Sequence, residues 1–107
     1  MKMKFEKTKT NRGFALNYFN DDYGEKCSLQ ESSSVEPHIW LGIDEPRPMI
    51  MCSDARKLEL PYAKNACGWQ EYKIPKEVLI HTRMHLTKRQ SFRLAMKLLK
   101  FALFGKV

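Results

Sequence analysis

The sequence predicts an α+β protein, in which an antiparallel β-sheet of four to six strands carries one C-terminal α-helix packed on it. Two observations lead to this fold class. Several short segments alternate apolar and polar residues, as strands do, and a longer segment near the end of the chain combines helical periodicity with start and stop signals. The 107 residues are expected to form a single domain, with a basic, poorly ordered lead-in over residues 1–12, mainly β-structure over 13–86 and the helix over 88–104.

Alternation predicts the first three strands. Residues 13–19 alternate between two faces, and the turn-forming sequence NDDYG follows them. Residues 25–30 alternate again, so the two segments predict a β-hairpin with a loop of about five residues. The sequence HIWLGI at 38–43 predicts the third strand. One face of the second strand is expected to carry Lys26, Ser28 and Gln30, and the other Glu25, Cys27 and Leu29.

The middle of the chain predicts shorter elements. Residues 49–53 predict a short strand, and the residues after them predict mostly connection, with room for one helical turn before Pro61. Residues 69–74 predict a strand that ends before Pro75. The alternating run at 77–86 predicts the longest strand of the protein.

Residues 88–104 predict a helix, because Thr87 and Gln90 form a capping box and Gly105 is a typical stop signal. Four basic residues fall within an arc of about 80° on this helix, and apolar residues cover most of the rest. That apolar arc is wider than the stripe needed to sit on one sheet face. The helix is therefore either nearly engulfed or packed in part against a second subunit, and we favour a homodimer. The basic residues are Arg89, Arg93, Lys97 and Lys100.

The net charge of +7 is concentrated at the two ends of the chain. Residues 1–12 carry +4, residues 13–80 carry −4, and residues 81–107 carry +7 without a single acidic residue. A positive surplus gathered in this way can create a field that attracts an anion or a nucleic acid.

Cysteine usage and hydropathy predict a cytoplasmic protein that has no membrane partner. The three cysteines are odd in number and widely spaced, so a disulfide framework is not expected and a reducing compartment is the simplest location. The longest apolar runs are too short to span a bilayer, and the basic start lacks the apolar stretch of a secretory signal.

The segment IHTRMHLTKRQ at 80–90 is the strongest candidate for a ligand site. On a strand, His81, Arg83 and His85 are expected to share one face, and the helix begins just after them with free N–H groups. Such a surface could hold a phosphate, with Arg83 as a bidentate donor. The alternative is a solvated sheet face, in which Arg83 pairs with Glu71 or Glu77.

Other functional interpretations have less support in the sequence. A zinc site at His81 and His85 is disfavoured, because strand residues four apart lie about 13 Å from each other. Trp40 and Trp69 are expected to be core or interface anchors, or stacking platforms for a base if they lie near the cationic face. Cys27 is expected to be a buried small residue rather than a nucleophile. No catalytic motif, metal-ligand cluster or cofactor motif is recognisable, so a non-enzymatic protein without a cofactor is expected.

Several phrases of the sequence together resemble a family of short proteins encoded by bacteriophages and prophages, usually without an assigned function. The resemblance covers about 80 of the 107 residues, from Arg12 to the start of the helix, and supplies no list of functional residues. This sequence departs from the family in its acid-free helix, since the relatives carry a more mixed, partly acidic one. That departure moves the predicted site towards Thr82, Arg83 and His85. The phrases are RGF, DDYGEKCSLQESS, IWLGID, GWQEYKIP and TRMHLTKRQ.

The phage setting implies a binding protein that acts on its bacterial host, for example by sequestering a signalling nucleotide. We therefore expect a counter-defence protein that binds a phosphate-bearing, nucleotide-type ligand through Arg83, His85, His81 and Thr82, with Trp40 or Trp69 stacking on a base. A second hypothesis is a nucleic-acid-binding module that uses the basic arc of the helix. A third is a protein–protein inhibitor whose apolar helix face docks on a host protein.

Overall fold

The computed structural model describes residues 3–62 and 68–107, so Cys67 lies outside the described residues. The chain forms two compact units. One contains the segments Met1–Glu45 and His81–Val107, and the other is the intervening segment Pro46–Ile80. Two compact units can belong to one domain, so the single-domain expectation stays a prediction.

The first unit is built on a five-stranded antiparallel sheet, which confirms the predicted α+β class. The strands lie in the order β1-β2-β3-β4-β7, so the only non-sequential neighbours are β4 and β7. Each of the other pairs follows in sequence order, which makes the first four strands a meander. The strands are β1 (Glu6–Lys9), β2 (Ala15–Asn20), β3 (Lys26–Glu31), β4 (His38–Ile43) and β7 (Arg83–Thr87).

The basic start of the chain is more ordered than predicted, because Glu6–Lys9 forms β1 and pairs with β2. A tight turn brings the two segments together. The Thr10 hydroxyl accepts a hydrogen bond from the Phe14 N–H at 3.1 Å, and Gly13 adopts a positive φ of 87°. The turn holds the extended segment beside β2, where it can pair with the open edge of β2. The high charge of residues 1–12 does not prevent this pairing.

The predicted hairpin between β2 and β3 is confirmed. Its loop is organised by Asp21, whose carboxylate accepts hydrogen bonds from the N–H groups of Tyr23 at 2.9 Å and Glu25 at 2.8 Å. Gly24 supplies the positive φ of 85° that the turn requires. The run of turn formers in the sequence therefore has a direct structural role.

Strand β7 is shorter than the predicted strand at 77–86, and only Arg83–Thr87 pairs with β4. The pairing ends where β4 ends, at Ile43. The Ile43 N–H donates to the Thr82 carbonyl at 3.2 Å, and the Thr82 hydroxyl donates to the Ile43 carbonyl at 2.8 Å. A strand extends only as far as its partner supplies hydrogen bonds, so the prediction was wrong for the residues before Arg83. His81 therefore precedes the strand.

The second unit contains a two-stranded antiparallel sheet and one short helix. These are β5 (Met49–Met51), α1 (Cys52–Lys57) and β6 (Trp69–Glu71), with β5 and β6 antiparallel. Both strands are shorter than predicted, because α1 begins directly after β5 and leaves β6 only a three-residue partner. Cys52 and Ala55 on α1 are buried.

The C-terminal helix α2 spans Lys88–Phe104, as the capping box and Gly105 predict. The Thr87 hydroxyl accepts from the Gln90 N–H at 3.0 Å, and the Gln90 side chain accepts from the Thr87 N–H at 3.0 Å. None of the helix residues is buried, so α2 does not pack its apolar face on the sheet as predicted. The helix begins at the residue after β7, with no loop between the two elements.

We expect Gly42→Ala to destabilise the protein by about 1–3 kcal/mol. Gly42 lies in β4 at φ 153°, and an added Cβ would collide with the Thr82 carbonyl and the Arg83 backbone. Gly24→Ala is the control, because Gly24 also has a positive φ but a Cβ there meets nothing. Urea denaturation of both variants measures the difference, and equal losses of stability would contradict a tight β4–β7 contact.

Candidate ligand-binding face of the sheet

Three strands bring polar and aromatic side chains to one face of the sheet. The β4–β7 register places Trp40 opposite His85 and Gly42 opposite Arg83, and the β3–β4 register places Gln30 opposite Trp40. Paired residues in an antiparallel sheet point to the same side, so these side chains share a surface. We call this surface the aromatic–cationic face; it consists of Gln30, Ser32, His38, Trp40, Arg83 and His85.

The centre of the aromatic–cationic face is a set of stacked rings. The His85 imidazole lies 4.1 Å from the Trp40 ring, centroid to centroid, with an interplanar angle of 24°. The same imidazole lies 4.7 Å from the His38 ring at an angle of 20°. Near-parallel rings at these distances lie face against face, so the three rings form a column in which His85 lies between His38 and Trp40.

Arg83 is held beside these rings by polar and π contacts. Its guanidinium carbon lies 5.5 Å from the Trp40 ring centroid, within the range of a cation–π interaction. One nitrogen, Nη1, donates to the Gln30 side-chain carbonyl at 2.9 Å. Since Gly42 has no side chain, the space beside Arg83 on β4 stays open for this arrangement.

No described residue of the first unit offers Arg83 a carboxylate partner, and the described ion pair of this unit joins Lys26 and Asp44 at 4.0 Å. Glu71 and Glu77, the partners considered in the alternative interpretation, belong to the second unit. A guanidinium has five N–H donors, so the Gln30 contact leaves Arg83 with further donors for an anion.

Hydrogen bonds orient both histidines of the stack. His85 Nε2 lies 2.9 Å from the Ser32 hydroxyl, where either atom can be the donor. His38 Nδ1 lies 2.8 Å from the Glu36 carbonyl and 3.1 Å from the Ser34 hydroxyl. The two imidazoles are thus fixed in position before any ligand arrives, which lowers the entropic cost of binding.

Ser28 lies on the same face of the sheet, opposite Gly42, and has an unsatisfied hydroxyl. The register places it between Tyr18 and Gly42, and its side chain is fully buried. Among the described residues its Oγ has no hydrogen-bond partner. A buried hydroxyl without a partner costs about 1–3 kcal/mol, so a group that could bond to it would gain stability.

The structure brings together only some of the residues that the sequence singles out. Trp40, Arg83 and His85 meet on the aromatic–cationic face. Thr82 uses its hydroxyl to hold the Ile43 carbonyl, so it positions the strand. The prediction that His81 shares the strand face with Arg83 and His85 was wrong, because β7 begins only at Arg83.

Trp69 and the basic residues of α2 lie on other elements. Trp69 is on β6 in the second unit, with 68% of its surface exposed, and its part in ligand binding stays a prediction. The basic arc of α2 is exposed along the helix. It consists of Arg89, Arg93, Lys97 and Lys100.

Sequence reasoning missed three members of the aromatic–cationic face, namely Gln30, Ser32 and His38. Strand alternation places Gln30 on the polar side of its strand, but not beside Arg83, which is 53 positions away. His38 and Trp40 are two apart in one strand, which implies a shared face. No local signal links Ser32 with His85, since the two meet only through the sheet.

A wide groove of about 820 Å³ lies elsewhere in the first unit, at the end of the sheet near the β2–β3 loop. It contains none of the predicted ligand residues. Cations and carboxylates line it together, for example Lys4 and Lys26 beside Asp21 and Asp22. Mixed charges of this kind do not select an anion, so the aromatic–cationic face is the better candidate.

Cys27 is not built as a nucleophile. It is buried on β3, and its Sγ donates weakly to the Glu25 carbonyl at 3.6 Å. Burial raises the pKa of the Cys27 thiol, and the nearby Asp21 carboxylate adds to the effect. A raised pKa disfavours the thiolate, which is the reactive form.

Two further features concern metals and membranes. Within residues 3–62 and 68–107, no group of three or more His, Cys, Asp or Glu is placed to hold a metal ion. No helix in those ranges has the length and apolar character needed to cross a bilayer.

No protein-family model, curated protein or solved structure matches this chain.

We expect Cys27 to react with iodoacetamide at pH 8 at least about tenfold more slowly in the folded protein than in urea, because it must be exposed by local opening first. Peptide mass spectrometry reports each cysteine separately. A Cys27 rate that is the same with and without urea would contradict its burial on β3.

Proposed function

We propose that this protein is a non-enzymatic accessory protein of a phage or prophage, which acts in the cytoplasm of the bacterial host. Its role is to sequester a nucleotide-type anion that serves host defence. The observation that supports the proposal is the position of Arg83 beside the Trp40–His85 stack, without a carboxylate from the described residues of its unit.

The proposed site uses the two parts of a nucleotide separately. Arg83 donates two parallel hydrogen bonds to a phosphate from the N–H groups that do not contact Gln30. An outer face of the His38–His85–Trp40 column accepts a base by stacking. Arg83 tolerates this arrangement because guanidinium groups also lie favourably against aromatic faces.

Charge around the site favours an anionic ligand. Arg83 lies in the acid-free segment 81–107, which carries +7. Clustered positive charge raises the local concentration of a phosphate-bearing ligand and speeds its association. The same charge also attracts nucleic acid, so the experiments must separate the two ligand classes.

A thermal-shift screen against linear and cyclic nucleotides is the first test. A ligand at a thousand times its Kd stabilises the folded state by about 4 kcal/mol, which gives a clear rise in Tm. We expect Arg83→Gln to abolish the shift and Arg93→Gln to preserve it. Both variants lose one charge, but Arg93 lies on α2, away from the aromatic–cationic face. Loss of the shift in both variants, or in neither, would contradict the proposed site.

Tryptophan fluorescence then locates the ligand. The chain has two tryptophans, so Trp69→Phe leaves Trp40 as the reporter, and Trp40→Phe leaves Trp69. We expect a nucleotide to quench the Trp69→Phe variant at the concentration that raises its Tm. Quenching seen only in the Trp40→Phe variant would place the ligand in the second unit.

A nucleic-acid-binding module is the second candidate, and the exposed basic arc of α2 favours it. For that function we expect the affinity for DNA or RNA to fall steeply as the salt concentration rises. In a plot of log binding constant against log salt concentration, the magnitude of the slope should decrease by about 1 for each phosphate contact removed. The double variant Lys97→Gln, Lys100→Gln tests this in filter binding against short duplexes. A flat salt dependence, or an unchanged slope in the variant, argues against it.

A further inference from the structure

The buried hydroxyl of Ser28 lies next to the aromatic–cationic face and has no bonding partner. The residue has no exposed surface, and among the described residues its Oγ makes no hydrogen bond. Buried hydroxyls in folded proteins are nearly always hydrogen-bonded, because a hydroxyl without a partner loses its bonds to water and gains nothing in return. An orphaned hydroxyl beside a candidate ligand site therefore indicates a ligand atom that bonds to it.

The strand register places Ser28 in one row with Arg83. Ser28 lies opposite Tyr18 on β2 and Gly42 on β4, and Gly42 lies opposite Arg83 on β7. Facing residues of antiparallel strands point to the same side of the sheet, so this row belongs to one face. Its two central residues are the smallest, since glycine has no side chain and serine has a short one. The row therefore leaves room for a small group between the side chains of Tyr18 and Arg83.

Arg83 already reaches the strand that carries Ser28. Its Nη1 donates to the Gln30 side-chain carbonyl at 2.9 Å, and Gln30 follows Ser28 by two positions on the same side of β3. Residues two apart in a strand are separated by about 7 Å. An anion bound by the remaining N–H donors of Arg83 can therefore bridge the guanidinium and the Ser28 hydroxyl.

The cation beside Ser28 is held only weakly. Lys26 precedes Ser28 by two positions on β3, and its ammonium lies 4.0 Å from the Asp44 carboxylate and 4.2 Å from the Tyr18 ring centroid. The Lys26 side chain is 54% exposed, and an ion pair this long and this exposed is weak. The pair still neutralises Asp44, so the positive charge of Arg83 is not cancelled near Ser28. An anion can reach Ser28 when the Lys26 side chain swings away, without a change in the backbone.

We propose that Ser28 is a ligand-binding residue and that the ligand carries a terminal phosphate, an inference that rests on the proposed nucleotide site. Arg83 donates two parallel hydrogen bonds to two phosphate oxygens, and the Ser28 hydroxyl donates to a third. A terminal phosphate has three free oxygens and close to two negative charges at neutral pH. A carboxylate, a cyclic nucleotide and the backbone of a nucleic acid each offer only two free oxygens per acidic group. Ser28 and Arg83 together thus select linear nucleotides.

Isothermal titration calorimetry of the full chain tests this selection. The probes are inorganic phosphate, the common nucleoside 5′-monophosphates and their 3′,5′-cyclic forms. We expect a 5′-monophosphate to bind more tightly than its cyclic form. Ser28→Ala should weaken binding of the 5′-monophosphate by about 10- to 100-fold, as expected for a lost hydrogen bond to a charged group, and should leave the affinity for the cyclic form unchanged. Ser91→Ala is the control, because the Ser91 hydroxyl donates to the Thr87 carbonyl on α2 at 2.7 Å; it should bind as the unaltered protein does.

Thermal unfolding without ligand gives a readout that does not depend on the choice of probe. Loss of an unpaired buried hydroxyl removes its desolvation cost, so Ser28→Ala should raise the Tm by a few degrees. Higher stability with weaker binding is the pattern expected of a residue that serves its ligand rather than the fold. If the alanine variant does not fold, Ser28→Cys takes its place, because the thiol is similar in shape but a weak donor, and it should lose affinity in the same way.

Four results would overturn the proposal, and they separate it from the nucleotide site itself. If binding is lost in Arg83→Gln but kept in both Ser28 variants, the nucleotide site stands and Ser28 is not part of it. Equal losses for the 5′-monophosphate and the cyclic form mean that Ser28 does not select a terminal phosphate. A Tm lowered by Ser28→Ala means that the hydroxyl is bonded within the folded protein and has a structural role. If none of the probes binds, the proposed function fails and this inference fails with it.

Discussion

The antiparallel pairing of β7 with β4 joins segments that are far apart in the sequence, and both the candidate site and the position of α2 follow from it. Thr82 and Ile43, 39 positions apart, exchange hydrogen bonds at the start of this pairing. Gly42 permits the close approach, because any side chain at that point would collide with the β7 backbone. Closing so long a segment costs entropy, which the shared ladder and the ring contacts of its side chains offset.

The same pairing brings Trp40, Arg83 and His85 together on one face of the sheet. Trp40 and His85 stack only because the register places them opposite each other. Arg83 then reaches across β4 to Gln30 on β3 and remains beside an indole ring without a carboxylate from its own unit. An arginine in this setting retains donors for an external anion, whereas an ion-paired arginine would have to give up its partner first.

The unit is divided between a polar surface and an apolar one that lie on different elements. The sheet carries the ring stack and the guanidinium, and α2 carries the uncovered apolar side chains. Since α2 starts immediately after β7, the strand sets where the helix begins. The proposed ligand site and the exposed apolar side chains of α2 therefore lie on separate elements that meet at the end of β7.

The sequence by itself determined the elements with strong local signals: the β2–β3 hairpin through its turn formers, α2 through its capping box and Gly105, and the α+β class through its periodicities. It also determined the uneven charge. Only the tertiary structure decided the length of β7, the order of β1, the membership of Gln30, Ser32 and His38 in the candidate site, and the exposure of α2. The physical reason is range: turns and caps are made by residues a few positions apart, whereas a strand's length and the neighbours of a side chain depend on partners supplied by distant segments.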